Sequence, residues 1–320
     1  VVAGHRRGTF DWGAGSRERS CAPESGSGAA PVRAVVGVTR TAGRLLAVSL
    51  VGLVGLAMLA TGGGFVGTAA AGPTCDGSDD DFAGGDGSSG ESYEIEDVEQ
   101  LQCVGDDAHL DDHFVLIDDI DASDTENWND GNGFEPIGDS NTAFTGTFEG
   151  NGHDIDGLSI DRGGDYIGLF GYIGSGGAVE NVGLESVDIS GGGKVGGLAG
   201  QIDGTVTNAY TTGAVSGGSQ HVAGLTGRSY GSVSDAYSTA TVDSSSGYVG
   251  GLIGLNYGSV DTSFATGDVD ASGFQIGGLV GENKDSGSSI TDSYATGDVT
   301  AGGSQIGGLV GWNEGGSVDT

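Results

Sequence analysis

Beyond Cys75 the chain carries only four cationic side chains, Arg162, Lys194, Arg228 and Lys284, against 42 acidic ones, an excess of 38 negative charges. Such a surface adds repulsion where binders of nucleic acid and anionic lipid gain counterion release, so nucleic acid is excluded as a partner. Cysteine is scarce too: Cys21 lies far upstream, and Cys75 and Cys103 alone make no disulfide framework. In an exported chain those two are free to form one bridge, but spacing leaves open whether they do. No Asn-x-Ser/Thr sequon occurs, so N-glycosylation has no acceptor. Proline numbers four, and the single methionine, Met58, lies inside a hydrophobic run.

Glycine, by contrast, supplies 68 of the 320 residues, beside 36% apolar residues. That mixture is too apolar for disorder and too rich in glycine for an ordinary globule, so much of the glycine is structural. The carboxylates are dispersed among strand-like segments instead of forming one block, which fits solubility in concentrated salt better than an acidic tail.

The order of parts follows from composition. Residues 1–30 show no apolar periodicity and read as an upstream, disordered extension. Within 31–74, Arg33, Arg40 and Arg44 precede an uncharged stretch from Leu45 to Thr74 that ends in Ala69-Ala70-Ala71. This is the pattern of an export signal cleaved near Ala71, with a retained membrane anchor as the alternative. A lipid-carrying Cys75 is disfavoured, because Gly72-Pro73-Thr74 lacks the aliphatic-then-small pattern of such sites. Residues 75–91 are polar, acidic and glycine-rich, so a linker is expected, with order beginning near Tyr93.

Residues 92–160 are expected to form an N-terminal cap and the first coils of an array. Val98, Leu101 and Val104 fall at helical spacing behind acidic residues, which predicts a short amphipathic helix. Phe114–Ile117 reads as a buried strand, and Phe134–Gly138 and Phe144–Phe148 as further short ones.

From 161 to 320 the sequence repeats. A Gly-Leu-x-Gly unit recurs around Leu169, Leu198, Leu225, Leu252, Leu279 and Leu309, with leucine spacings of 29, 27, 27, 27 and 30. Between these units runs a second pattern, Val-x-x-x-aromatic, as in Val260 to Phe264, with siblings at Val206, Val233 and Ile290. Short strands with turns between them, and no helical pattern inside the period, predict an all-β, right-handed parallel β-helix in which each coil covers its neighbour. Propeller blades are longer, the leucine-rich pattern is missing, and the calcium-binding nine-residue repeat is not followed. The glycines beside each leucine imply tight bends or close approach of coils, so Gly278→Val is expected to strain the coil. Ile276 and Leu279 have opposite parity along one strand, which leaves the inward face unassigned there.

Val249-Gly250-Gly251-Leu252-Ile253-Gly254-Leu255-Asn256-Tyr257-Gly258-Ser259-Val260, followed by Ser263-Phe264-Ala265-Thr266-Gly267, resembles the GLUG repeat. That motif belongs to large secreted and cell-surface proteins of bacteria and archaea. The segment Phe144–His153 with Leu169-Phe170-Gly171 is similar to the region leading into such arrays, so the resemblance covers about residues 93 to 320. It implies an architecture and a surface location, not an activity, since relatives include adhesin-like proteins and proteins with a peptidase domain elsewhere. The acidic bias also resembles exported proteins of salt-loving archaea. Departures are local: Ala223 and Ala240 replace glycines, and Lys284–Ser288 lengthens one turn. The last unit stops at Thr320 short of its aromatic residue, which reads as a truncated array.

Candidate sites are few. His109 and His113 are four apart beside Asp111 and Asp112, but His-Leu-Asp-Asp-His lacks the glutamate of zinc peptidases and sits where helix passes to strand. Asp118, Asp119, Asp121, Asp124 and Asp130, with Asn127, Asn129 and Asn132, form an oxygen-rich stretch, making Ca²⁺ the one cofactor candidate; their spacing is not that of a twelve-residue calcium loop. Asp118 and Asp119, adjacent on a strand, point to opposite faces and make a poor glycosidase pair. Tyr210, Tyr237, Phe264 and Tyr294 recur in register, as do Asn181, Asn208, Asp235, Thr262 and Asp292; both series read as structural ladders. No catalytic residue is assigned. The expected function is an exported surface or adhesion module acting on an unidentified surface protein or glycan, with membrane contact only through an uncleaved N-terminal segment. The alternatives are a carbohydrate-active β-helix enzyme, or the accessory array of a secreted peptidase.

Overall fold

A computed structural model describes residues 70–319; the upstream extension and most of the export segment lie outside the described residues. What is described is nearly all β. One coil serves for all: Ser232–Ser234, a corner at Asp235, Tyr237–Ser238, Thr241–Ser244, a turn to Tyr248, Val249–Gly250, a bend at Gly251-Leu252, then Ile253–Asn256. Each segment pairs in parallel with its equivalent in the next coil, as in Val206↔Val233, Val233↔Val260, Val260↔Ile290 and Ile290↔Val318. The protein is therefore a parallel β-solenoid of about six coils.

The repeat leucines form its axis. The N–H of Leu198 donates to the carbonyl of Leu225 at 3.0 Å, Leu225 to Leu252 at 3.1 Å, Leu252 to Leu279 at 2.9 Å and Leu279 to Leu309 at 2.9 Å. Leu169 through Leu279 are wholly buried, and Leu309 in the last coil packs partly against them. Burial of a leucine side chain contributes about 1.5–3 kcal/mol, but only because the neighbouring coil supplies the cover.

The parity conflict at Ile276 and Leu279 is resolved by a change of sheet. Ile276–Gly277 pairs within the larger sheet, whereas Val280–Lys284 belongs to a separate six-stranded sheet, and the chain bends between them. Ile276, Leu279 and Val280 are therefore all buried. A Cβ on Gly278 would run into the carbonyl oxygen of Gly308 in the next coil, which is why the bend takes glycine. The turn lengthened by Lys284–Ser288 moves the register from Ser232↔Ser259 to Ser259↔Ser289 and leaves the pairing intact. Ala223 keeps its register with Gly250.

At the N-terminal end the helix Val98–Cys103 forms, capped by Asp97, whose carboxylate accepts from the Gln100 N–H at 2.9 Å. Val98, Leu101 and Val104 are buried as their spacing predicts. The strand runs His113–Leu116, and Ile117 is 40% exposed instead of buried. Phe134, Ile137 and Phe144 are buried beside isolated bridges, and a regular strand forms at Thr147–Glu149.

Residues 75–91 are not a linker, and order begins well before Tyr93. Phe82 is buried against Tyr93, ring centroids 4.4 Å apart, and the Tyr93 hydroxyl donates to Asp79. Cys75 is bonded to Cys103 across a sequence separation of 28, which also removes the free thiol a lipid would need. Closing a loop of that length stabilises by on the order of 3–4 kcal/mol in the chain-entropy account, so one aromatic residue and one bridge order a segment whose composition alone argues against folding.

Candidate functional site

The aromatic series forms a flat stack. Tyr210 and Tyr237 lie 4.8 Å apart with 4° between planes, Tyr237 and Phe264 4.8 Å and 1°, Phe264 and Tyr294 5.0 Å and 4°. The spacing matches that of neighbouring strands, ~4.8 Å. Inside the stack the ring faces of Tyr237 and Phe264 are covered by other rings, which denies a sugar a stacking platform there, while Tyr294 at the end of the row is 51% exposed. The Tyr210 hydroxyl donates to Asp154 at 2.7 Å and lies 3.2 Å from Glu185. Burial first, then the Asp154 hydrogen bond, pushes its ionisation far above the ordinary tyrosine value.

The polar series has a backbone origin. Asn181, Asn208, Asp235, Thr262 and Asp292 all occupy the left-handed region, with φ from 47° to 56°, at one corner of the coil. Asn and Asp tolerate this conformation best, which explains their recurrence without a ligand. A second corner uses Tyr166, Lys194, His221, Tyr248, Gln275 and Gln305 in the same way.

The aspartates considered for Ca²⁺ do not converge. Asp118 accepts from the N–H of Asp119, and Asp121 from the N–H of Ser123. Asp119 accepts from His153 Nδ1 at 2.9 Å and from the Asp154 N–H; the His153 hydrogen bond, then the backbone one, holds its carboxyl below the ordinary value. Asp124 lies in the first turn of the short helical segment Ser123–Asn127, and Asp130 sits at φ 59°. His109 bonds Asp112 and packs edge-on to Phe82 and Tyr93, whereas His113 opens a strand, so the two imidazoles do not share a helix face. Among the described residues no three His, Cys, Asp or Glu side chains gather as a metal site.

Two arrangements escape a reading of the sequence. The first is an amide ladder: Asn256 and Asn283, both buried, and the exposed Asn313 stand two residues after the second glycine of successive Gly-Leu-x-Gly units and bond coil to coil. Their fixed offset from that glycine was the available signal. The second concerns the cations, which are scattered in sequence. Arg228 and Lys284 stand on the six-stranded sheet, with Lys194 at the corner leading to it. Lys194 pairs with Asp165 at 2.8 Å and lies over the Tyr166 ring; Lys284 lies 3.6 Å from Glu282 and 3.4 Å from Glu314. Burial, with Arg228 and then Lys194 adding to it, pushes the His221 imidazole down to about 4. Glu282 is wholly buried, which pushes its carboxyl upward.

The fold and this surface together define a capped parallel β-solenoid whose outer faces are ladders of like residues. Within that class the chain carries GLUG repeats, the GLUG motif matching residues 245–270 and 272–300. It is 43% identical over 143 residues to Halomucin of Haloquadratum walsbyi, covering 42% of this chain and 2% of that protein. It is 40% identical over 131 residues to a protein of Evansella cellulosilytica named "Putative Gly-rich membrane protein", covering 40% of this chain and 15% of that one. The chain thus spans a small fraction of these relatives' length. A Bacteroides ovatus crystal structure titled "putative immunoglobulin A1 protease" superposes with a TM-score of 0.58 over 74% of this chain and 78% of that one, at 21% identity, a likeness of fold.

Proposed function

We propose that the chain is a non-catalytic structural and adhesion-type module of an exported, salt-adapted surface protein. The leucine row carries this reading, because coils bonded in register along one axis make a stiff rod whose long sides are available to a partner protein or glycan. Halomucin and the Gly-rich membrane protein support a surface or membrane-associated setting, and the former supports life in high salt. In-register carboxylates such as Glu149↔Glu180 and Asp243↔Asp270 fit that setting, since they repel each other unless screened.

The carbohydrate-active alternative asks for carboxylates converging with an Arg or Lys. Asp154 and Glu185 do meet at Tyr210, but neither has a Lys or Arg within ion-pair distance among the described residues. The reading as an accessory array for a peptidase rests on the GLUG resemblance and a likeness of fold, with no peptidase residue assigned in this chain. Surface biotinylation of intact source cells, with incubation of the purified chain on polysaccharide and protein substrates, tests the proposal. Labelling from outside without product release is expected. Release of sugars or peptides that Glu185→Gln abolishes, or confinement of the chain to the cytosol, would overturn it.

A further inference from the structure

One guanidinium on the six-stranded sheet is placed to be met from outside. Arg228 donates through Nε and Nη2 to the Oε1 of Gln201, its equivalent one coil earlier. It also lies over the Tyr230 ring, 5.0 Å from the centroid. Tyr230 is 44% exposed, so one phenol stands beside the guanidinium, and Tyr257 of the next coil backs that ring at 4.5 Å. Among the described residues no carboxylate comes within ion-pair distance of Arg228, and its Nη1 makes no hydrogen bond. The other three cations among the described residues are occupied: Lys194 and Lys284 by carboxylates, Arg162 by the carbonyls of Phe134 and Gly133. In a chain with 42 acids beyond Cys75 and four cations, an arginine fixed by an amide and an aromatic ring, and left without a carboxylate, has an anion-binding edge to spare.

Resting on the adhesion reading above, we propose that Arg228, positioned by Gln201 and set against Tyr230, binds the carboxylate of a uronate-bearing polysaccharide. The Nη1–Nη2 end that Gln201 leaves free can meet a carboxylate, and the Tyr230 phenol suits a sugar hydroxyl. The occupant is set by charge complementarity at this one position. The excess acid elsewhere repels a polyanion at long range, but the screening length falls to about 3 Å in 1 M salt, while a direct guanidinium–carboxylate contact survives. Binding should therefore strengthen from dilute to molar salt, opposite to the behaviour of an ordinary polycation–polyanion complex.

The test titrates the full chain with polygalacturonate, and with the same polymer methyl-esterified, from roughly 0.01 M to 1 M NaCl, over which the screening length falls from about 30 Å to about 3 Å. Expected are preference for the free acid, tighter binding at high salt, and a loss of at least about tenfold in R228K, which keeps the charge but loses the fork. R228A should bind neither form; circular dichroism checks its fold, and R228K carries the comparison if R228A does not fold. Equal binding of the ester, an R228K affinity like that of the parent chain, or no binding of either polymer would overturn the assignment. Attachment of the labelled chain to source cells is measured in parallel: attachment that persists without polyuronate binding overturns this site and leaves the adhesion reading standing.

Discussion

Asn256 donates through Nδ2 to the Oδ1 of Asn283 at 2.9 Å, and both side chains are wholly buried. Asn283 in turn donates to Asn313 at 3.0 Å and to the Ser317 carbonyl at 3.2 Å. An amide ladder in a solenoid core is stabilising only when every rung is filled, since a buried orphan costs its full desolvation. Asn283→Ala takes the acceptor from one proton of the buried Asn256 amide, whose other donates to the Gly258 carbonyl, while the exposed Asn313 can turn to water. A loss of about 1–3 kcal/mol is expected, read as an earlier midpoint in guanidinium unfolding.

Thr262 holds φ 48° at the corner where earlier coils place Asn181 and Asn208. A β-branched residue is strained there, whereas asparagine is tolerated. Thr262→Asn is expected to stabilise by about 0.5–1 kcal/mol, measured by the same unfolding curves.

Asp243 and Asp270 stand in register on adjacent coils, both exposed. Two like charges ~4.8 Å apart in water repel by about 0.9 kcal/mol. Asp270→Asn should therefore stabilise the chain in dilute buffer and leave it unchanged in 1 M or more salt, where screening operates over about 3 Å. Thermal melts across a salt series read the difference.

His221 is held near 4 in the folded chain by burial, Arg228 and Lys194, against about 6.5 when unfolded. With a depressed folded value, the unfolded chain takes up the proton first. Stability contributed by the neutral imidazole is whole above about pH 6.5 and declines as pH falls toward 4, by up to roughly 3 kcal/mol. His221→Gln, which copies Gln275 and Gln305 at the same corner, should flatten that part of the stability profile.

The leucine row was legible because a fixed period of apolar residues has few structural solutions, and the repeat spacing alone placed Leu225 over Leu252. The turn at Leu279 was not, because parity presumes a continuous strand and the Gly-Gly bend passes the chain to a second sheet. Order at 75–91 was hidden for a different reason: it depends on the Cys75–Cys103 bridge and on Phe82 reaching Tyr93, contacts that composition does not carry. The setting of Arg228 on Gln201 becomes visible only once the coils are stacked, since residues 27 apart in sequence are neighbours in space.

The in-register stack itself is tested most directly by a distance. Glu180, Thr207, Ser234, Asp261 and Thr291 occupy equivalent positions on successive coils. Spin labels at Glu180 and Thr291, in a chain with Cys21 replaced by serine, should give by pulsed electron–electron resonance one narrow distribution near ~19 Å, four steps of ~4.8 Å. A broad distribution, or a separation well beyond four steps, would contradict the stacked coil.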